Sequence, residues 1–350
     1  MKDKKTGKTL RDSFNQKVKG QTKRSYLKLI EHEYGGVIGT AVSEGRRLAV
    51  SDFASKKNAE DLVEKVVSFQ QQKLASLPAK YKKYEKYVDQ GQVKPSRNPP
   101  MIVLPPYFFT EALGPRSWHS VNLDLASLTK SAVDDLPVFG VLFCSPQTMS
   151  SSGKRIIEDF GKLDLDGFVV WADSFNGNQA LEQLRAMRDF IRSLAELGKP
   201  IISMYGDAFS LILSYSGLTG YCCGICYGEK KSADQDADVE GAIPPRYYLT
   251  LLKKKVQIET ELRRIPLADY AQLACQCDVC TRQIDLALLD DFLARQHFML
   301  ARLDEVTALR SGQSARELAD LMTDAYRKYN DEPLLGPVTH LANWSKLLTE

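Results

Sequence analysis

Three thiols and an imidazole constrain this chain more than any other feature. Cys275, Cys277 and Cys280 fall within six residues, and His297 follows seventeen positions after the last of them. Thiolate and imidazole donors suit a tetrahedral zinc ion, and three cysteines plus one histidine complete a closed shell. The histidine lies in the apolar-periodic run Ile284–Leu300, which reads as a helix with Leu289, Leu293, His297 and Leu300 along one face. A structural Zn2+ held by these four side chains would pin that helix to the cysteine loop. The competing reading is three reduced, buried cysteines beside a core histidine. A structural zinc does not identify a reaction, so the chemistry must be sought elsewhere.

A chain of 350 residues has room for one large α/β domain with appendages, or for two domains. Its 43% apolar and 26% charged residues are an ordinary soluble balance, and a net charge of +3 does not by itself imply a nucleic-acid partner. No run approaches the roughly 18 apolar residues of a membrane span, and the N-terminus lacks the apolar middle of a secretory signal. Six of the seven cysteines sit in two clusters, which fits a reduced compartment better than a disulfide scaffold. The expectation is a cytoplasmic protein with no membrane partner.

Charge distribution says more than net charge. Residues 1–24 hold nine Lys or Arg against two Asp, and 1–30 reads as a basic arm, either contacting phosphate or simply solvated. A strand-like run follows at Val37–Val42, then a helix from Asn58 to Ala75. Lysines and tyrosines interleave from Lys80 to Tyr87, with Lys94 and Arg97 beyond. That pattern suits backbone contact with stacking on an unpaired base, and equally a solvated helix whose tyrosines pack on the body. The span 58–98 is thus a basic helical insertion, closed by Pro95, Pro99 and Pro100.

From residue 101 short apolar runs alternate with helical patterns. The runs are 101–109, 138–144, 167–171, 200–205 and 220–229; the clearest helix lies between Asn178 and Leu197, with another from Phe209 to Leu213. Continuous apolar strands alternating with helices mean a parallel sheet buried on both faces. With further strand candidates at 37–42, 119–124 and 242–248, the count suits an α/β fold of modified (β/α)8-barrel type over 31–270, an open doubly wound sheet being the alternative. A zinc-binding helical subdomain would occupy 271–350, including a helix from Ala315 to Tyr329 and a short element at Leu341–Leu348 packed by Trp344. Nucleotide-fold readings lose weight, because no Gly-x-Gly-x-x-Gly ends a strand and no phosphate loop occurs.

In parallel α/β sheets chemistry gathers where strands end. Three carboxylates stand there: Asp173, Asp207 and Glu229. Asp207 follows a glycine after an apolar strand and precedes a helical pattern, so cap and catalyst are both open to it. Asp173-Ser174-Phe175-Asn176 also reads as an ordinary turn. Gly220, Gly224 and Gly228 recur every fourth position around Cys222, Cys223 and Cys226, letting a flat ligand approach the backbone. Those cysteines read as core or pocket wall rather than a second metal site. Arg246 either faces phosphate or pairs with an acid of 234–240, and Tyr247 or Tyr248 offers a stacking ring; alternatively this is a proline-rich edge before a helix from Lys253 to Leu262.

Taken together, Cys275-x-Cys277-x-x-Cys280 and His297 resemble the zinc signature of the tRNA-guanine transglycosylase superfamily, which includes bacterial DNA transglycosylases that insert 7-deazaguanine derivatives. Gly224-Ile225-Cys226-Tyr227-Gly228-Glu229 is similar to the family's glycine-rich strand end, which lines the base pocket. Ile243-Pro244-Pro245-Arg246 is similar to the run beside its nucleophilic aspartate, with Glu240 in the nucleophile's place. The interval to the histidine is shorter than in the tRNA enzymes, and no Asp-Ser-Gly-Gly-Phe-Gln segment occurs. The resemblance spans roughly 100–310 and points to a divergent, DNA-directed or defence-associated relative.

The resemblance implies exchange of a guanine in nucleic acid, DNA favoured over tRNA, for a 7-deazaguanine base, with companion proteins as further partners. A carboxylate would attack C1′ and a second acid would protonate the leaving base. The nucleophile candidates, in order, are Asp207, Glu240 and Asp173. Glu229, Gly228 and Gly224 would line the base site, with Arg246 nearby. Tyr205, Tyr227 and Phe108 are the stacking candidates, and the zinc would be structural. The alternatives are a zinc-stabilised nucleic-acid-binding module without catalysis, and a glycosidase that releases a base without replacing it.

Overall fold

The computed structural model describes residues 36–73, 101–225, 229, 231–233, 244–282 and 289–350. The basic arm, the lysine–tyrosine stretch 80–97, Cys226, Tyr227, Gly228 and Glu240 lie outside the described residues.

The described chain begins with α1 (Gly36–Glu44) and α2 (Lys56–Ser68), followed by α3 (Trp118–Ala132). A βα alternation follows: β1 (Phe139–Cys144), α4 (Pro146–Gly161), β2 (Gly167–Ala172), α5 (Leu181–Ala195), β3 (Ile201–Ser203), α6 (Ser210–Ser214) and β4 (Gly220–Tyr221). Next come the hairpin strands β5 (Arg246–Leu249) and β6 (Lys254–Gln257) and the short helices α7 (Leu267–Leu273) and α8 (Asp278–Arg282). Three longer helices close the chain: α9 (Asp291–Arg310), α10 (Ala315–Tyr329) and α11 (Thr339–Thr349).

β1 to β4 form a parallel sheet in sequential order, with Phe143 opposite Trp171 and Val170 opposite Ser203. Strand parity divides the side chains. Leu142, Cys144, Phe168, Val170 and Ala172 join the large core with Ile156, Phe160, Met187, Phe190 and Ile191 of α4 and α5. Phe139, Val141, Phe143, Val169 and Trp171 form a second cluster on the opposite face. The crossover helices α4 and α5 therefore cover one face, and an aromatic-rich layer lines the other. This is a mixed α/β fold, wound in one direction.

The expected barrel does not close among the described residues, where the strands number four plus two. Two strand candidates are helices: 37–42 lies in α1 and 119–124 in α3. In α1 contact with α2 overrides strand propensity, with Ala41 buried and the Gly36 amide donating to Asp61 of α2 at 3.1 Å. The run 101–109 forms no strand; isolated parallel bridges pair Val103 with Val138, just before β1, and Thr110 with Cys144 at its end. The helix expected from Lys253 to Leu262 is replaced by β6 and a short 3-10 turn, because Lys253 at φ 50° turns the chain back onto β5. The histidine helix starts later than its periodicity suggests, at the Asp290 cap, and continues to Arg310.

Trp344 does more than pack the terminal helices together. Its indole N–H donates to the Gly177 carbonyl at 2.7 Å and its ring meets Phe209 at 5.6 Å, tying α11 to the loops after β2 and β3. A Cβ at Gly177 would stand 2.4 Å from that indole, so the approach requires glycine. No helix among the described residues is long and apolar enough to cross a membrane.

Candidate metal centre and strand-end site

The metal centre is assembled from three elements. Cys275 and Cys277 lie on the turn after α7, Cys280 on α8 and His297 on α9; Cys277, Cys280 and His297 are buried. All four donor atoms lie within 4.8 Å of one another. His297 Nδ1 is 3.5, 3.4 and 3.2 Å from the sulfurs of Cys275, Cys277 and Cys280, and Cys275 and Cys280 are 3.5 Å apart. The edges of a zinc tetrahedron with these donors are about 3.5–3.8 Å, so the shell fits Zn2+.

The surroundings prepare these donors for a metal. His297 Nε2 donates to the Tyr248 carbonyl at 2.6 Å, leaving Nδ1 as the free lone pair. The Tyr247 hydroxyl lies 2.8 Å from Cys280 Sγ, its ring stacks on His297 at 4.2 Å, and Tyr270 donates to it in turn. Among the thiols themselves, Cys275 is pulled down by the thiols of Cys277 and Cys280, while Cys280 is driven up by those of Cys275 and Cys277. A divalent cation resolves that conflict by letting all three ionise. The geometry supports a structural Zn2+ site.

The second cluster stands at the carboxyl ends of the parallel strands. Tyr107, Phe109, Phe143, Trp171 and Tyr205 form an aromatic floor there. Phe143 stacks on Trp171 at 3.8 Å, Tyr107 meets both edge-on at 6.1 Å, and Tyr205 tilts against Trp171 at 4.9 Å. Tyr205 holds φ 55°, which aims the chain from β3 into the loop carrying Asp207. Residues 231–233 lie across this floor. Their backbone accepts from Ser174 N and Trp171 Nε1, Ala233 N donates to Asp173, and Lys231 Nζ sits 5.6 Å from the Trp171 ring centre and 5.5 Å from that of Tyr205.

The carboxylates differ in setting. Asp173 is half-buried. Asp207 is half-buried as well, but both of its oxygens are taken: they accept from Gly177 N at 2.6 Å and Phe209 N at 2.9 Å, the bonds of a residue that fastens two loops. Burial raises its pKa against the pull of those donors. Glu229 pairs with Lys255 at 2.6 Å; burial raises its pKa, Lys255 opposes the rise, and the neighbouring Asp207 adds to it.

Behind them lies a buried charge network. Glu305 accepts from Arg302 at 2.5 Å, from Lys253 at 2.5 Å and from the Tyr248 hydroxyl at 2.9 Å. Arg302 also donates to the Asp207 carbonyl at 3.2 Å and lies over the Tyr221 ring at 4.8 Å.

The structure thus brings Asp173, Asp207, Glu229 and Tyr205 to one end of the sheet, with Gly224 on the same post-β4 segment. Phe108 is elsewhere. The alternating backbone turns it away from the floor, and its ring packs on Trp118 at 4.5 Å and Phe53 at 5.2 Å. Arg246 opens β5 opposite Gln257, with no hydrogen-bond partner at Nε among the described residues. Sequence reasoning passed over Trp171, Lys255, Arg302 and Glu305. Trp171 was within reach, since it shares strand parity with Asp173. Arg302 and Glu305 continue the stripe of Ala294, His297, Phe298 and Ala301, yet charges on a helix ordinarily mark its solvated face.

A scan against protein-family models finds no match, and no curated protein matches the chain.

Proposed function

We propose that the chain exchanges a guanine base in nucleic acid, DNA in preference to tRNA, for a 7-deazaguanine derivative through a covalent carboxylate intermediate. The observation that carries this reading is the meeting of Asp173, Asp207 and Glu229 at one end of a parallel sheet, beside an aromatic floor suited to a flat base. The one-directional winding with the crossover helices on one face supports an arc of a modified (β/α)8 barrel as the finer description.

Asp173 takes the nucleophile's role, because Asp207 commits both carboxylate oxygens to the backbone amides of Gly177 and Phe209, whereas Asp173 commits one, to Ala233 N. Its oxygen attacks C1′ of a nucleotide drawn out of its stack, the bond from C1′ to the base breaks, and Glu229 gives the leaving base a proton. The incoming base returns a proton to Glu229 as its nitrogen displaces Asp173 from C1′. Asp207 holds the loops after β2 and β3 in register. The Cys3His centre takes no part in bond making.

The pairing of Glu229 with Lys255 favours one competing reading, a zinc-stabilised nucleic-acid-binding module without catalysis. Incorporation of labelled guanine or 7-deazaguanine into duplex DNA, single-stranded DNA and tRNA separates the two. The expected result is incorporation into DNA, abolished by Asp173→Asn and reduced by Glu229→Gln. Loss with Glu240→Gln and retention with Asp173→Asn would move the nucleophile to Glu240. Salt-sensitive binding with no incorporation would establish the binding module, and release of free guanine without an incoming base a glycosidase.

A further inference from the structure

The metal centre and the strand-end site share one rigid element. Helix α9 carries His297 in its second turn and Arg302 and Glu305 one to two turns later, all three buried. We infer that α9 couples the two sites, with Arg302 as the positioning residue that carries the state of the Cys3His centre to the ends of β3 and β4.

Both ends of this coupling are built from direct contacts. On the metal side, His297 donates through Nε2 to the Tyr248 carbonyl at 2.6 Å, which fixes the rotation of α9 against β5. On the other side, the Tyr248 hydroxyl donates to Glu305 at 2.9 Å, and Glu305 holds the Arg302 guanidinium at 2.5 Å. One tyrosine thus grips the helix at two points about two turns apart. The guanidinium then reaches across to the Asp207 carbonyl at 3.2 Å and the Tyr221 ring at 4.8 Å. Those residues are already joined: Gly206 N donates to the Cys222 carbonyl at 2.9 Å and Cys222 N to the Ser203 carbonyl at 2.8 Å. Arg302 therefore braces the junction of β3 and β4, and its own placement depends on α9.

Metal binding holds the cysteine turn against His297. Without it, nothing but weak sulfur–imidazole contacts at 3.2–3.5 Å ties the cysteine turn to His297 among the described residues, and the helix loses that anchor. A fixed α9 then becomes a loose one, and the brace goes with it. Coupling of this kind is reciprocal: whatever the metal does for the brace, the brace does for metal affinity. The inference rests on the metal centre and not on base exchange, so the incorporation assay and this one can fail independently.

The test uses the full chain reconstituted with zinc, in the wild type, Arg302→Met, Tyr248→Phe and Leu184→Val, the last a core control in α5. Zinc affinity is measured by competition with a chromophoric chelator, and amide hydrogen exchange is followed at Gly206 and Cys222 with and without zinc. Arg302→Met is expected to weaken zinc binding by about 5–150-fold, with Tyr248→Phe weakening it less and Leu184→Val leaving it unchanged. Chelation is expected to accelerate exchange at Gly206 and Cys222 at least tenfold in the wild type, and to add little in Arg302→Met, where exchange is already fast. If Arg302→Met does not fold, Tyr248→Phe, which leaves the guanidinium in place, decides the affinity arm. Zinc affinity within twofold of the wild type in the network variants that fold, or unchanged exchange in the chelated wild type, would overturn the inference.

Discussion

The metal centre and the strand-end site are both buried and charged, yet they are stabilised in opposite ways. In the centre every donor points at one position, and the groups tolerate one another only through the cation placed there. At the strand ends each charge has its own protein partner: Glu229 with Lys255, Glu305 with Arg302 and Lys253, Asp207 with two backbone amides. The first arrangement is rigid but conditional on its ion. The second holds together without one, and a ligand acting there must compete with existing pairs. Such a division suits a scaffold function at the centre and a reactive one at the strand ends.

The sharpest way to break this comparison is to remove the ion. Cys277→Ser or His297→Ala is expected to abolish stoichiometric zinc and to cause the largest stability loss of any single change discussed. Comparable shells are worth about 10–16 kcal/mol to isolated zinc-binding peptides. Here α10 and α11 keep their own packing, so a fraction of that is at stake, about 5 kcal/mol and a fall of roughly 10–20 °C in Tm. Metal analysis and calorimetry on the same samples check it. A variant that loses zinc with Tm unchanged would make the centre an ornament of the fold rather than its anchor.

The next test strikes the paired charges. Glu305→Gln removes the negative charge shared by Arg302, Lys253 and the Tyr248 hydroxyl, leaving two buried cations uncompensated. The expected cost is about 3–5 kcal/mol, read by urea unfolding with zinc bound. A cost below about 1 kcal/mol would mean that water already screens the network, and the contrast with the centre would narrow.

How legible each region was in the sequence follows from the same physics. The centre lies within 275–297, so spacing alone exposed it. Strands β1, β2 and β3 were legible too, because burial on both faces leaves continuous apolar runs such as Phe139–Cys144. The strand-end site draws on residues from Tyr107 to Glu305, and only its carboxylates and Tyr205 announced themselves, by their place at strand ends. Arg302, Glu305 and Lys255 were hidden because a buried charge and a solvated one look alike until the partner is placed. Val37–Val42 misled for a related reason: four of its six residues, Val37, Ile38, Thr40 and Val42, are β-branched and suit a strand, yet the segment docks on α2 as a helix.

A smaller perturbation separates the floor from its supports. Trp344→Phe keeps most of the ring packing but removes the bond from the indole N–H to the Gly177 carbonyl, orphaning a buried acceptor. The cost expected is about 1–3 kcal/mol, with zinc content unchanged. Zinc lost in parallel would show that α11 supports the centre as well as the strand ends, and the two regions would be one cooperative unit.

The finest distinction is electrostatic. Glu229 is held above its ordinary pKa of 4.5, chiefly by burial, with Lys255 pulling the other way. A carboxyl whose folded pKa exceeds its unfolded value contributes stability that is fully present below the unfolded value and is lost as pH rises through the folded one. Wild-type stability should therefore decline relative to Glu229→Gln as pH rises from about 4.5 through the native value. The glutamine stays neutral throughout, so the difference between the two stability profiles isolates the titration. The effect should be the smallest of the set, since Lys255 recovers part of the penalty when the carboxylate ionises. Urea unfolding at a series of pH values, with zinc bound in every sample, measures it. A difference that runs the other way, with wild type gaining on the variant as pH rises, would make the Lys255 pair the dominant influence and Glu229 a structural anion rather than a proton carrier.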